Sequence, residues 1–276
     1  MTGQPKPNAI YALRSALITG ASSGIGAAFA EALAAAGCRL VLTARRIDRL
    51  RALAQRLGER YGTECLCIEA DLAEEGALDT IELRLRAQSI DIDILINNAG
   101  YGIPGQFHKH AWTAHAEFLQ VLLIRPTELV HRFLPGMQQR GWGRIVNVAS
   151  LAGLIPGSNG NTLYAASKAY LIKFSQSLAL ENRRNGIFAQ ALCPGFTESE
   201  FHDVSGARHL MQRLPKFMFQ SAEAVVAEGL ISLERGQVVH VSGRINRLLA
   251  WVAKHAPERL ALYLIERRSK DFRVLD

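Results

Sequence analysis

Thr19-Gly20-Ala21-Ser22-Ser23-Gly24-Ile25-Gly26 is the stretch that decides the fold, because it joins an apolar run, Ser15 to Thr19, to an alanine-rich helical segment. Gly20 permits a tight turn, Gly24 lets backbone approach a ligand, and Gly26 lets the helix pack close to the strand. The free N–H groups at the helix start would then face a pyrophosphate, whereas a flexible glycine loop is the alternative. The candidate cofactor-binding residues of this turn are Thr19, Gly20, Ser22, Ser23, Gly24, Ile25 and Gly26.

Outward from the turn, apolar β-branched runs alternate with longer segments of helical period, which predicts βαβ units and a parallel sheet. Such connections cross over right-handedly, so helices should cover both faces. We expect one α/β domain over residues 1–276, a doubly wound Rossmann fold with a seven-stranded parallel sheet. The expected strands are Ser15–Thr19, Arg39–Thr43, Glu64–Glu69, Ile92–Ile96, Arg144–Val148, Ile187–Leu192 and Gln237–Val241. The expected helices lie near Gly24–Ala36, Ile47–Tyr61, Glu74–Ser89, Ala111–Arg140, Thr162–Asn185 and Ala222–Glu234.

Two stretches fall outside this alternation. Gly195 to Gln220 follows the sixth strand at the edge where ligands bind, and we expect a mobile lid over the substrate there. The tail from Arg244 to Asp276 is expected to be helical, amphipathic and basic, so it either packs on protein or makes weak contact with a membrane surface.

Composition narrows the class of protein. The chain has 276 residues, of which 49% are hydrophobic, and this is enough to bury a full core. It has no run of about eighteen apolar residues and its start lacks a secretory signal, so we expect a cytoplasmic protein. The formal charge of +7 is spread without an aromatic-basic motif, so we expect no nucleic-acid partner. The cysteines, which we expect to be buried reduced thiols rather than metal ligands, are Cys38, Cys65, Cys67 and Cys193.

The end of the second strand indicates which dinucleotide is preferred. It reads Leu42-Thr43-Ala44-Arg45-Arg46, with no carboxylate where a ribose diol would bind. Guanidinium groups there favour a 2′-phosphate, which predicts NADP(H) over NAD(H). Arg45 is the first candidate and Arg46 the second, and a solvated arginine at a helix start is the alternative.

A catalytic group is indicated by Tyr164-Ala165-Ala166-Ser167-Lys168. Tyrosine and lysine four positions apart share one face of a helix, and a nearby ammonium would lower the pKa of a phenol that is otherwise near 10. Ser150 ends the fifth strand, where the crevice should open, and its hydroxyl could donate to a substrate carbonyl while Tyr164 delivers the proton. An exposed helix face and a turn serine are the alternatives.

Together these motifs resemble the short-chain dehydrogenase/reductase family, from about Ser15 to Thr197. The resemblance implies hydride transfer between NADP(H) and an alcohol or carbonyl compound, with Lys168 also binding the nicotinamide ribose. It implies an adenine contact at Asp71-Leu72 and a nicotinamide contact at Pro194-Gly195, with Thr197 on the carboxamide. It further assigns Asn98, Ala99 and Gly100, within Asn97-Asn98-Ala99-Gly100, to the cofactor cradle.

One position departs from the family pattern. Leu122 stands where many members carry an asparagine that helps to hold a water linked to the lysine, and leucine cannot hydrogen-bond through its side chain. Gln120 or the main chain could compensate. The alternative function is therefore a catalytically weak NADP(H)-binding regulator or scaffold.

The lid sequence carries apolar side chains, which favours an apolar substrate such as a steroid, a lipid-like ketone or a bulky xenobiotic carbonyl. Its histidines, His202 and His209, either touch substrate or are solvated. The long helices pair between subunits in the family, which implies a homodimer or homotetramer, although Pro126 and Pro135-Gly136 are expected to interrupt the first of them. The apolar lid residues are Phe196, Phe201, Met211, Phe217, Met218 and Phe219.

Overall fold

The computed structural model describes residues 10–157, 159–160, 162–198 and 219–269. The strands of the described part are β1 (Ser15–Thr19), β2 (Arg39–Ala44), β3 (Cys65–Glu69), β4 (Ile94–Asn97), β5 (Gly143–Val148), β6 (Ile187–Cys193), β7 (Phe196–Glu198), β8 (Phe219–Ser221) and β9 (Val239–Val241). Seven parallel strands form the central sheet in the order β3-β2-β1-β4-β5-β6-β9. The strands β7 and β8 form a small parallel sheet of their own.

Helices cover both faces of the sheet, as the alternating side chains of β1 show. The helices of the described part are α1 (Gly24–Ala35), α2 (Ile47–Tyr61), α3 (Ala77–Ala87), α4 (Trp112–Leu119), α5 (Arg125–Arg140), α6 (Thr162–Asn182), α7 (Ala222–Glu234), α8 (Arg244–His255) and α9 (Glu258–Ser269). Ala16 and Ile18 belong to the core cluster that includes α1, α2 and α7, whereas Leu17 belongs to the cluster that includes α3, α4 and α5. Since all three side chains are 0% exposed, both faces are buried, which confirms the doubly wound Rossmann fold.

The long helix expected over Ala111–Arg140 is divided by a π-helical turn, Gln120–Ile124, and not by a proline. Pro126 lies in the first turn of α5, where a missing N–H is tolerated. Pro135 lies inside α5, which continues to Arg140, so the expected interruption at Pro135-Gly136 was wrong. The π turn contains one extra residue, which changes the helical register between α4 and α5. It lies close to the Asn97-Asn98-Ala99-Gly100 motif.

The lid and the tail are described in part. Phe196 and Phe219, at the ends of the expected lid, stand on β7 and β8 with ring centroids 5.7 Å apart. Residues 199–218 lie outside the described residues, and so do the other lid aromatics and methionines and both lid histidines. The tail forms α8 and α9, while residues 270–276 also lie outside the described part. Among the described helices, none is long and apolar enough to cross a membrane.

The four cysteines are free thiols, as expected, but they differ in burial. Cys38 and Cys193 are buried, whereas Cys65 and Cys67 are only partly buried because β3 is an edge strand. Burial raises the pKa of Cys38, Cys65 and Cys193 to about 12, so these thiols are protonated at neutral pH.

Candidate active site

The glycine turn after β1 is fixed to the end of β4 by two side chains. The Thr19 hydroxyl accepts hydrogen bonds from the N–H groups of Asn98 and Ala99, both at 3.0 Å. The Asn98 amide donates to the carbonyl oxygens of Thr19 at 3.0 Å and Gly20 at 3.2 Å. Thr19 and Asn98, both predicted from the sequence to bind the cofactor, therefore hold the glycine turn in place against the end of β4.

The glycines of the turn are required by its geometry. Gly20 and Gly24 have φ angles of 65° and 55°, in the left-handed region that favours glycine. A Cβ atom on Gly26 would collide with the carbonyl oxygen of Gly20. The helix α1 begins at Gly24 without an acidic residue in its first turn, so its free N–H groups are available to an anion.

The two candidate arginines after β2 make different contacts. Arg46 donates to the hydroxyls of Ser22 at 3.1 Å and Ser23 at 3.3 Å, so its guanidinium lies on the glycine turn. Arg45 points towards the next loop, with its Nη1 3.8 Å from Oδ2 of Asp71. Sequence reasoning ranked Arg45 first, whereas the geometry brings Arg46 closer to the turn.

Ser150, Tyr164 and Lys168 come together at the carboxyl end of β5. The side chains of Ser150 and Tyr164 are hydrogen-bonded to each other. Lys168 lies one helical turn after Tyr164, with its Nζ 5.6 Å from the centre of the tyrosine ring, and donates to the Val148 carbonyl at 2.8 Å. Gly153 permits this approach, because a Cβ there would lie 2.6 Å from the backbone carbon of Lys168.

Burial dominates the electrostatics of this group. Burial raises the pKa of Tyr164 to about 12, although its hydrogen bond with Ser150 acts in the opposite direction. Burial also lowers the pKa of Lys168 to about 8. The net result is a Tyr164 pKa above that of a free phenol, whereas the spacing to Lys168 suggested a lowered one. In this state Tyr164 is a proton donor.

The segments after β3 and β6 lie at the same carboxyl edge of the sheet. Asp71 accepts from the N–H of Ala73 at 3.0 Å, and Leu72 is buried beside it. The Pro194 carbonyl accepts from the N–H of Leu151 at 2.9 Å, which ties the Pro194-Gly195 turn to the Ser150 loop. Thr197 is buried, and its hydroxyl donates to the Gly195 carbonyl at 3.3 Å.

Residues 14–209 match the family model described as short chain dehydrogenase. The chain belongs to the short-chain dehydrogenase family. It is therefore an oxidoreductase, and the matched range contains the glycine turn, the Ser150, Tyr164 and Lys168 group, and the Pro194-Gly195 turn.

Individual short-chain dehydrogenases resemble it over most of their length. A 3-oxoacyl-[acyl-carrier-protein] reductase of Aquifex aeolicus is 32% identical over 236 residues, covering 82% of this chain and 95% of that protein. The solved short-chain dehydrogenase from Sphingobium yanoikuyae in complex with NADPH has a TM-score of 0.77 and 32% identity, covering 96% of this chain and 97% of its own. A bulky-bulky ketone specific alcohol dehydrogenase from Comamonas testosteroni has a TM-score of 0.73 and 33% identity, with 96% of each chain covered.

This short-chain dehydrogenase carries Leu122 within the π turn. The Leu122 side chain is 1% exposed and packs against Gly100 of the motif after β4. With its amide oxygen facing Arg125, Gln120 accepts from that guanidinium at 3.1 and 3.2 Å. Gln120, expected as a possible substitute for the missing asparagine, is therefore bonded to Arg125.

Arg125 connects the π turn to the loop after β3. Its buried guanidinium donates to the carbonyl oxygen of Leu72 at 3.0 Å, to that of Glu74, and to the Glu128 carboxylate at 2.7 Å. Sequence reasoning missed this residue, since an arginine in a helix is ordinarily read as exposed.

A buried amide network behind the site was also missed. The Asn97 amide donates to the Asn147 side-chain oxygen at 2.8 Å, and the Asn147 amide donates to the Ser175 hydroxyl at 2.9 Å. The network joins β4, β5 and α6, the three elements that carry the cofactor motif, Ser150 and Tyr164. The available signal was two asparagines inside otherwise apolar strands, because a buried amide requires partners.

A cavity beside Tyr164 contains two histidines that sequence reasoning did not single out. Nε2 of His115 lies 2.9 Å from the Phe107 carbonyl, which can only accept, so Nε2 carries the proton. In the neutral ring Nδ1 is then an acceptor, and it is buried with no partner among the described residues. The clustering of His108, His110 and His115 was the only available signal. The cavity is lined by Ile103, Gly105, Phe107, His110, His115, Phe118, Thr162, Leu163 and Tyr164.

Metal chemistry finds no support within the described ranges. No group of three or more His, Cys, Asp or Glu side chains there could hold a metal ion.

Proposed function

We propose that this short-chain dehydrogenase transfers a hydride between NADP(H) and the carbon of an alcohol or carbonyl group, with Tyr164 as proton donor or acceptor. The observation that carries the proposal is the hydrogen-bonded Ser150 and Tyr164 pair with Lys168 one turn away, at the sheet edge that bears the glycine turn. The bound cofactor supplies or accepts the hydride. The chain has to orient the substrate oxygen and move one proton.

Each residue has a distinct part in that task. Ser150 orients the substrate oxygen by a hydrogen bond, and Tyr164 donates the proton during reduction or accepts it during oxidation. Lys168 binds the nicotinamide ribose and, when charged, stabilises a phenolate at Tyr164. Pro194, Gly195 and Thr197 line the nicotinamide side, and Asp71 and Leu72 line the adenine side.

The NADP(H) preference is supported by the basic groups next to the turn. The amino terminus of α1 suits a diphosphate. Three donor side chains lie beside it, those of Arg46, Ser22 and Ser23. A relative with 32% identity is described in complex with NADPH. We assign the 2′-phosphate to Arg46 and Arg45 together.

Cofactor titration tests this assignment. Arg46→Ala is expected to weaken NADPH binding about tenfold, which corresponds to one lost charge-assisted hydrogen bond, and to leave NADH binding unchanged. Arg51→Ala, on the exposed side of α2, is the matched control and should change neither. An equal loss for NADPH and NADH would contradict the 2′-phosphate assignment.

The substrate is proposed to be an apolar carbonyl or alcohol. The cavity next to Tyr164 combines aliphatic and aromatic side chains with the polar groups of His110, His115 and Thr162, and Nδ1 of His115 has no partner among the described residues. A relative at 33% identity is described as specific for bulky-bulky ketones. Turnover of a panel of ketones, aldehydes and alcohols with NADPH, NADP⁺ and NADH tests class, direction and cofactor together.

The competing function is a catalytically weak NADP(H)-binding regulator or scaffold, which Leu122 in place of asparagine favours. The same panel separates the two functions. Tight NADPH binding without turnover on any carbonyl, and no effect of Tyr164→Phe, would support the binding protein.

The quaternary structure is a further part of the proposal. Ile124, next to α5, and Tyr170 and Leu180 on α6 are 51%, 37% and 79% exposed, which suits a subunit contact through these helices. We propose a homodimer or homotetramer, which light scattering tests. Single-domain organisation and a cytoplasmic location stay predictions.

A further inference from the structure

The tail concentrates exposed apolar side chains on two adjacent helices. Eight large apolar residues between positions 245 and 263 are 40 to 61% exposed. On α8 they recur at intervals of three and four, which places them on one stripe of the helix. The eight residues are Ile245, Leu248, Leu249, Trp251, Val252, Leu260, Leu262 and Tyr263; we call them the tail face.

The tail face is not the side on which these helices pack against the domain. Asn246 of α8 is 5% exposed and donates to the Ser242 carbonyl at 2.8 Å, and Ala261 of α9 is 7% exposed. These two residues mark the inner side of each helix. The apolar stripe therefore stays exposed after the tail has packed, so packing on the domain does not explain it.

Basic residues border the tail face. Residues 244–276 contain eight Lys and Arg against four Asp and Glu, so this segment carries a formal net charge of +4 out of the +7 of the chain. Arg244, Lys254 and Arg259 are exposed. A two-fold contact between copies through this face would bring like charges together, which disfavours a second copy as the occupant. Anionic headgroups complement the charge.

We propose that the tail face docks this enzyme on a lipid surface that contains anionic headgroups. In this arrangement α8 and α9 lie along the surface, with the leucines in the acyl boundary and Arg244, Lys254 and Arg259 at headgroup level. Trp251, at the border of the stripe, suits the interface because its ring combines an apolar body with one N–H donor.

The docking surface is connected to the active-site edge. A Cβ on Gly195 would lie 2.5 Å from the amide of Asn246, so α8 rests against the Pro194-Gly195 turn. Glu228 joins the same region, because it accepts from Gln220 at 3.1 Å and from Arg247 at 3.0 Å. If the proposed function holds, an apolar carbonyl dissolved in the lipid would meet the site from the docked side.

Vesicle sedimentation tests the docking without using catalysis. The full chain is mixed with vesicles of phosphatidylcholine alone, or of phosphatidylcholine with phosphatidylglycerol. Leu248→Ser with Val252→Ser removes apolar side chains from the face, and Arg244→Glu with Lys254→Glu reverses its charge. The matched control is Leu83→Ser with Ile231→Ser, two residues that are 68% and 55% exposed on other helices. Melting temperature and NADPH binding verify that each variant is folded.

We expect binding to the anionic vesicles only. Each cation removed should lower the partition coefficient about fivefold, the apolar variant should lower it at least about tenfold, and the control should leave it unchanged. Equal binding to both vesicle types, or no binding to either, would overturn the proposal. Loss of a dimer in light scattering on Leu248→Ser with Val252→Ser, without vesicle binding by the wild type, would assign the face to a second copy. Because no substrate is present, these outcomes are independent of the proposed reaction.

Discussion

The two ends of the central sheet bury polar side chains in opposite ways. At the amino end of β5, Arg144 is 6% exposed and bonds both carboxylate oxygens of Glu234, at 2.7 and 2.9 Å. Tyr11 donates to the same carboxylate at 2.7 Å. At the carboxyl end, Tyr164 bonds to Ser150, and Lys168 donates to an uncharged acceptor, the carbonyl oxygen of Val148.

The buried polar groups at the amino end of the sheet serve stability, whereas those at the carboxyl end serve reactivity. Where a buried charge has a full set of partners, it fixes one geometry. At the carboxyl end burial raises the pKa of Tyr164 to about 12 and lowers that of Lys168 to about 8, whereas at the amino end burial and the Glu234 carboxylate raise the pKa of Tyr11 and keep it a neutral donor to that carboxylate. Substitutions at the carboxyl end should therefore reduce turnover, and substitutions at the amino end should reduce stability.

The largest expected effect is on turnover. Tyr164→Phe removes the proton donor, and kcat for NADPH oxidation with the best ketone of the panel should fall by about 10⁴, the upper range for general acid catalysis. NADPH affinity and melting temperature should change little, because the ring remains. Turnover within tenfold of the wild type would mean that another group supplies the proton.

The next effect is on stability at the opposite end. Arg144→Met leaves the Glu234 carboxylate without its cation, and the free energy of unfolding should fall by about 3–5 kcal/mol in urea titration. Arg86→Met, a surface pair member that is 79% exposed, is the control and should cost under about 0.5 kcal/mol. At full cofactor saturation the folded Arg144 variant should keep its kcat. A selective loss of kcat would remove the distinction between the two ends.

The pH dependence comes third. In the proposed reduction the charged form of Lys168 acts, so kcat/KM should fall as pH rises through about 8, the pKa set by burial. Lys168→Arg keeps the positive charge at higher pH, so the decline of kcat/KM should begin at a higher pH, whatever the maximal rate of the variant. Lys168 affects stability in the opposite direction. Between pH values of about 8 and 10.5 the unfolded lysine binds a proton that the folded lysine does not, so the contribution of Lys168 to the free energy of unfolding rises with pH. A profile that is flat to pH 10 would contradict the lowered pKa.

The smallest effect is expected at the departure from the family pattern. Leu122→Asn should change kcat less than about threefold, because the π turn, which re-aims main-chain carbonyls, is already present without the asparagine. Leu123→Asn, the neighbour in the same turn, is the matched control. An increase above tenfold for Leu122→Asn alone would show that the wild type is limited by its proton relay.

Much of the fold could be predicted from the sequence, because it depends on local patterns of apolar residues and glycines. The predicted order of strands and helices is confirmed, since the central strands are apolar on both faces and alternate with segments of helical period. The grouping of Ser150, Tyr164 and Lys168 followed from helix periodicity and from the edge at which parallel strands end.

The rest depends on tertiary contacts that periodicity does not encode. The π turn around Leu122 forms against Gly100, which is distant in sequence. His115 acquires its role from the Phe107 carbonyl and from burial, and neither is visible in composition. The pKa of Tyr164 was expected to follow its charged neighbour, but desolvation, which needs the whole structure, is larger.

Arg125 gives the loop after β3 and the π turn a shared anchor. The Nε and Nη2 atoms of one guanidinium donate to the carbonyl oxygens of Leu72 and Glu74 and also to the Gln120 amide oxygen, while its Nη1 donates to the Glu128 carboxylate. An exchange of the loop after β3 for that of another dehydrogenase therefore has to reproduce two backbone positions, and not a side-chain identity. A graft that misplaces them would leave a buried cation unsatisfied and disturb the π turn that carries Leu122, so any redesign of this loop has to begin from Arg125.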